Sequence, residues 1–354
     1  MIRKTQWIGL EIEETMKTEL LAILLCSFGA RACIRRPGPP PPPRDVVFVT
    51  GGLTLPSDGS TRLVATAEVQ MFDPSTRRFS VAPWRLSKGR AHHVSGVVDG
   101  VLAVVGGRNS SGVDLYDGAS LATDALPATQ TAVGMAAAQH DVWQLYNCGG
   151  YDEVSRSYKN HCDVFAIDPA ERKRVGGPIP VGKLSHVAAL SDQDQYVYIV
   201  GGLIDAANSV TPAYSAQLHR LDIDTGAWTA LKPLPVPLVG SALLLDDKSI
   251  LMCGVTRTVS SPTASRSRCY SYLPARDRWH RERAPKQPIS QLQLSRCAGS
   301  VFAFGVVEVA ELHGSYRTAL VEEFDLVKKK WTTLEGAAML RDFHVRFSAA
   351  CFTA

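Results

Sequence analysis

The chain lacks most of the parts from which catalysts and membrane-inserted proteins are built. No glycine-rich loop leads into a helix with a Lys-Ser pair, so the phosphate cradle of nucleotide-binding enzymes is excluded. No serine stands in a Gly-x-Ser-x-Gly elbow. The eight cysteines show none of the paired spacing that holds zinc. The apolar run Leu20-Leu21-Ala22-Ile23-Leu24-Leu25 is too short to span a bilayer, which takes about 20 apolar residues. Charge is an equally weak signal, because a formal net of +4 over 354 residues suggests no particular partner. Lys328-Lys329-Lys330 reads as a solvated turn before Trp331. No aromatic-interleaved basic stripe accompanies it, so no nucleic-acid partner is expected.

What is present is a phrase repeated six times. It consists of an apolar run closed by small residues, then an aromatic or aliphatic residue beside Asp, then a large apolar residue. The small-residue ends are Gly51-Gly52, Gly106-Gly107, Gly149-Gly150, Gly201-Gly202, and the eroded Cys253-Gly254 and Phe304-Gly305, spaced by 43 to 55 residues. Downstream stand Phe72-Asp73, Tyr116-Asp117, Ile167-Asp168, Leu221-Asp222, Tyr272-Leu273 and Phe324-Asp325. Six residues after Asp73, Asp222, Leu273 and Asp325 come Phe79, Trp228, Trp279 and Trp331. Thr123 and Arg174 replace that aromatic in the second and third units. A period this long marks stacked supersecondary units. Runs such as Val46-Val47-Phe48-Val49 and Val101 to Val105 are β-branched and aromatic and end at glycine, as buried strands do.

These phrases resemble the Kelch repeat, whose units are four-stranded antiparallel blades closing into a β-propeller. The resemblance covers residues 45–354 and implies an all-β, six-bladed propeller. The other repeats carry an extra apolar strand before the double glycine, such as Val94 to Val98, whereas the first has only a proline tract upstream. The tail Val345 to Phe352 supplies an orphan strand that follows Arg341-Asp342-Phe343-His344, much as Val94 follows Arg90-Ala91-His92-His93. The C-terminal strand is therefore expected to become the innermost strand of blade one and close the ring.

Residues 1–32 read as a secretory leader, with a short apolar core followed by Ala30-Arg31-Ala32. Glu11, Glu13 and Glu14 are unusual in a leader, and Met16-Lys17 offers an alternative start. Residues 33–44 form a proline-rich stretch that reads as a stiff polyproline spacer. Cys148 and Cys253 end second strands, and Cys162 and Cys269 follow after 14 and 16 residues. Those intervals differ by two, so both partners occupy the same strand face, and a bridge across each hairpin is expected. Cys33 and Cys351 are positioned to staple the termini, leaving Cys297 free; Cys297 with Cys351 is the rival pairing. Asn109-Ser110-Ser111 is a glycosylation acceptor.

Three segments repeat a cation three residues before histidine: Arg90 before His93, Lys183 before His186 and Arg341 before His344. In the Kelch adaptors that the chain resembles, the arginine-type position borders the central channel and grips acidic peptide segments. The resemblance thus implies Arg90, Lys183 and Arg341 as ligand-facing residues, with Arg108 and Asn109 on the neighbouring loop. The histidines read as repeat consensus satisfying backbone groups, not as a metal site. No cofactor is expected. Plant specifier proteins, which are propeller relatives, hold iron through a Glu-x-x-x-Asp-x-x-x-His motif that is absent here. The tyrosine, cysteine and histidine set of copper radical oxidases is not matched either. The expected function is a secreted, non-enzymatic protein-binding module whose partner presents an acidic segment. An intracellular Kelch adaptor for ubiquitin ligation or actin binding is the first rival. Its dimerisation and cullin-binding regions are not expected in the 44 residues upstream. A secreted sialic acid epimerase-like enzyme is the second.

Overall fold

The computed structural model describes residues 45–352 except 55–62, 99, 109–111, 123–131, 134–135, 142–143, 153–155, 167–171, 176–177, 181–183, 186–187, 193, 205–212, 259–260, 288, 312–313 and 338–346. The expected leader and spacer, Asn109, Lys183, Arg341, His186, His344 and Cys33 lie outside the described residues.

The fold is an all-β propeller. Among the described residues the sole helix is a single 3₁₀ turn, Pro274–Arg276, and no helix is long and apolar enough to cross a membrane. Six four-stranded antiparallel sheets carry the chain, each ordered first to fourth strand from one side to the other. Sheet one joins Ser348–Phe352, Val46–Thr50, Val69–Asp73 and Arg78–Val81. Sheet two runs Val94–Val98, Val101–Val105, Val113–Tyr116 and Leu121–Ala122. Sheet three is Ala136–Asp141, Gln144–Cys148, Cys162–Ala166 and Arg172–Val175. Sheet four is Ala188–Ser191, Tyr196–Val200, Leu218–Asp222 and Trp228–Leu231. Sheet five contains Val239–Leu244, Ile250–Thr258, Ser261–Leu273 and Arg278–Glu282. Sheet six contains Ser290–Cys297, Ser300–Glu311, Gly314–Asp325 and Lys330–Thr333.

The tail strand pairs antiparallel with the first strand of the domain, from Val46 opposite Phe352 to Thr50 opposite Ser348. The first strands of successive sheets lie side by side, and the tail strand lies beside those of sheets two and six. Second strands are sandwiched between neighbouring sheets, which is why Val46–Thr50 is buried at every position and reads as a continuous apolar run rather than an alternating one. The core is distributed over the seams between sheets. Tyr198, Val200, Met252 and Tyr272 fill the seam of sheets four and five. Phe72, Phe302, Phe304 and Val321 fill that of sheets six and one. Phe48 meets Phe352 and Tyr116 edge-on, both with centroids 5.6 Å apart, so the tail strand is anchored in the seam of sheets one and two.

The repeated phrase has a physical job at each position. Both glycines of a pair take positive φ, +54° and +107° at Gly51 and Gly52, a conformation that side chains resist. The break aims the second N–H at the segment entering the next sheet: Gly52 N–H donates to Arg90 O and Gly202 N–H to Leu238 O, each at 2.8 Å. A Cβ on Gly201 would lie 2.5 Å from Leu238 O, so the approach also requires glycine. The Asp after the aromatic caps the turn into the fourth strand. Asp117 accepts the N–H groups of Ala119 and Ser120, and Asp325 those of Val327 and Lys328. These bonds hold the Asp117 carboxyl below its ordinary range, with the Ser120 N–H the largest cause. The fourth-strand tryptophan ties a sheet to its predecessor: Trp279 Nε1 donates to Lys232 O and Trp331 Nε1 to Arg283 O, both at 2.8 Å.

The eroded pairs behave differently. Where cysteine or phenylalanine replaces the first glycine, the left-handed break is lost and the hairpin continues. Gly254 pairs with Arg268 and Gly305 with Leu320 inside uninterrupted ladders. In sheet one the double glycine instead diverts the chain into a separate two-stranded ladder, Leu53–Thr54 with Val64–Ala65. Sheets five and six thus each extend a long β-ribbon where their neighbours turn away.

Candidate functional site

Arg90 does not face a ligand. It and Asp114 both have fully buried side chains, and they form an ion pair of 3.1 Å. The guanidinium also donates to Val104 O and Gly112 O at 3.1 Å, Gly106 O at 3.4 Å and Ser87 Oγ at 3.2 Å. Asp114 in turn accepts the Ser87 N–H at 2.9 Å and its hydroxyl at 2.8 Å. Burying two charges requires this density of partners, and the result clamps the linker from sheet one onto sheet two. The bonding of a buried carboxylate to a linker recurs in sheet six, where Glu322 accepts the N–H groups of Lys286 and Gln287 in the linker from sheet five.

His93 is a structural neighbour of that clamp. Its Nε2 lies 2.8 Å from Thr50 Oγ1, and Thr50 donates to Ser348 O at 3.4 Å, so Nε2–H is the donor to Thr50. Nδ1 is buried and has no hydrogen-bond partner among the described residues. Burial first, and the Arg90 charge second, push the imidazole down to about 3, so it is neutral at physiological pH. Beside it Ser348 Oγ accepts from Ser95 N–H at 2.9 Å and lies 2.7 Å from Ser95 Oγ. This polar cluster stitches the tail strand, sheet one and sheet two together. Arg108 is exposed, with its backbone N–H bonded to Ala91 O at 2.8 Å. Of the sequence-derived candidates it is the one whose position is both described and open to solvent.

Three disulfides are present. Cys148 joins Cys162 and Cys253 joins Cys269, directly opposite one another in register as the spacing implied. Cys351 joins Cys297, which overturns the Cys33 to Cys351 pairing and the expectation of a free Cys297. The reason is positional, because the tail strand lies beside Ser290–Cys297 of sheet six. Among the described residues no group of three His, Cys, Asp or Glu could hold a metal.

A concavity among the described residues lies elsewhere, at the root of the sheet-five ribbon. It is a pocket of about 320 Å³ lined by Ser267, Arg268, Cys269, Arg281, Glu282 and Arg283, together with Ala284. Sequence reasoning missed it because its arginines lie outside the repeated phrase. The missed signal was the run-on hairpin, foretold by the loss of a glycine at Cys253.

No protein-family model matches the chain, and a comparison with curated proteins returns no match. The fold alone defines a class, the β-propeller, which commonly serves as a protein-interaction module. Three disulfides are more typical of extracellular than of intracellular proteins.

Proposed function

We propose that the chain is a secreted, non-enzymatic interaction module of the Kelch kind, with six blades closed into a ring by its C-terminal strand. The observation that carries this reading is the pairing of Ser348–Phe352 with Val46–Thr50 in a molecule of six four-stranded sheets whose seams are braced by tryptophan bonds and, between sheets six and one, by a disulfide. Such a scaffold is rigid, and loops on a rigid scaffold are where recognition is placed. The disulfides support residence in an oxidising compartment. The N–H bonds donated by the double glycines and the tryptophans give the repeated phrase a structural task, which supports the Kelch reading.

Affinity capture from extracellular fluid, using the oxidised domain beginning at Cys33, tests this reading. A defined protein partner is expected, released when exposed loop residues such as Arg108 are substituted. Intact mass should rise by two hydrogens per bridge on reduction. Turnover of sialic acid anomers by the purified protein, or a fully reduced protein in its native compartment, would overturn the proposal.

A further inference from the structure

Charge is spread unevenly along the chain. From Gly254 to Gln287, eight Lys and Arg stand against Asp277 and Glu282, a net of +6 within a total of +4, leaving −2 for all other residues. Sheet five gathers part of that surplus. Tyr270 stands opposite Arg281 and Cys269 opposite Glu282, which sets Arg268 across from Arg283 where the strands part. Arg268 is half-buried, and Arg281 and Arg283 are exposed. The three line one pocket with a single carboxylate, Glu282, whose Oε1 accepts the Ser271 hydroxyl at 2.8 Å. Among the described residues none of the three guanidiniums has a hydrogen bond or ion pair. Like charges held together repel, and a bound anion relieves that repulsion.

We propose that this pocket binds a sulfated polysaccharide through its sulfate groups. The lining carries three positive charges against one negative, so a ligand with more than one negative charge suits it better than a lone carboxylate. Arginine's planar fork donates paired hydrogen bonds to oxyanions. The lining arginines sit on paired strands, Arg268 on one and Arg281 and Arg283 on and just beyond the other. Alternate strand positions are about 7 Å apart, a spacing that fits a linear polymer with charges at intervals. No aromatic residue lines the pocket, which removes the stacking platform a single-stranded nucleic acid would use. Among the described residues the exposed large hydrophobics are Val64, Val81 and Val327, none of them in the lining, so the described lining offers no apolar anchor for a membrane. Cys269, bridged to Cys253, fixes the strand that carries Arg268, and pre-organisation of this kind lowers the entropic cost of binding. The inference stands apart from the protein-partner reading.

The test uses the full oxidised protein and heparin as the probe, with desulfated heparin for comparison. Heparin is expected to bind and the desulfated chain not. Arg268→Gln with Arg281→Gln and Arg283→Gln should weaken binding about tenfold or more and flatten the log affinity against log salt slope by about 2 to 3, one per lost contact. Lys328→Gln with Lys329→Gln and Lys330→Gln removes equal charge elsewhere and should leave both nearly unchanged. If the triple pocket variant fails to fold, Arg281→Gln with Arg283→Gln, both exposed, carries the same comparison. Equal losses in the two variants, no heparin binding at physiological salt, or tighter binding of a phosphopeptide, polynucleotide or anionic vesicle would overturn the proposal. A protein partner still captured by the pocket variant would leave the interaction reading intact.

Discussion

Arg90 shows how a single residue's task is decided by what lies next to it in space. Its place in the repeat resembles a ligand-gripping position, yet Asp114, 24 residues on, draws it entirely inside. That partner could not be read from the Arg90 segment, because the pairing depends on a carboxylate in a different strand facing the same seam. Arg90→Met strands the Asp114 charge and should cost about 3 to 5 kcal/mol in denaturant unfolding. Adding Asp114→Leu should restore part of that loss, since apolar replacement of a whole buried pair is often neutral. His93 supplies a second test. Its pKa is about 3 in the folded protein and near 6.5 when unfolded, so between those values the unfolded chain binds the extra proton. Stability therefore falls as pH drops from 6.5 toward 3, at up to about 1.4 kcal/mol per pH unit from this group. His93→Gln should flatten that slope in melting measurements across pH 6.5 to 4.

Hairpins and their staples come next in scale. The repeat phrase was legible because each of its signals acts locally: glycine breaks a strand, aspartate caps the following turn, and tryptophan reaches one linker away. The pairings of Cys148 with Cys162 and Cys253 with Cys269 were legible for the same reason, through strand alternation. Cys297 with Cys351 was legible only as one of two alternatives, since its 54-residue separation is bridged by the tail strand lying beside Ser290–Cys297 rather than by a hairpin. Replacing Cys148 and Cys162 with alanine should cost about 3 kcal/mol, and replacing Cys297 and Cys351 about 4 kcal/mol, because longer loops lose more denatured-state entropy when cross-linked. Chemical unfolding of each double variant checks the order. The arginine pocket was illegible for a further reason: Arg268 and Arg283 come together only because the ribbon runs on past Gly254.

At the level of the whole molecule, stability rests on the apolar seams between sheets, so weakening one exposes its neighbours. Deleting residues 347–354 removes the partner strand of Val46–Thr50 and the Phe352 ring packed on Phe48. Unpaired backbone groups along that edge carry a penalty, and the truncated protein is expected to lose its cooperative thermal transition. A truncated chain that melts as a single step at the parent temperature would show that the tail strand is dispensable.

The pairing of Ser348–Phe352 with Val46–Thr50 also orders events during synthesis. Sheet one begins to form first and is finished last, because Ser348–Phe352 is translated after the strands of all five other sheets. Until that strand is made, Val46–Thr50 waits with one edge bare, and a ribosome stalled before Ser348 would leave a chain that cannot finish its first sheet.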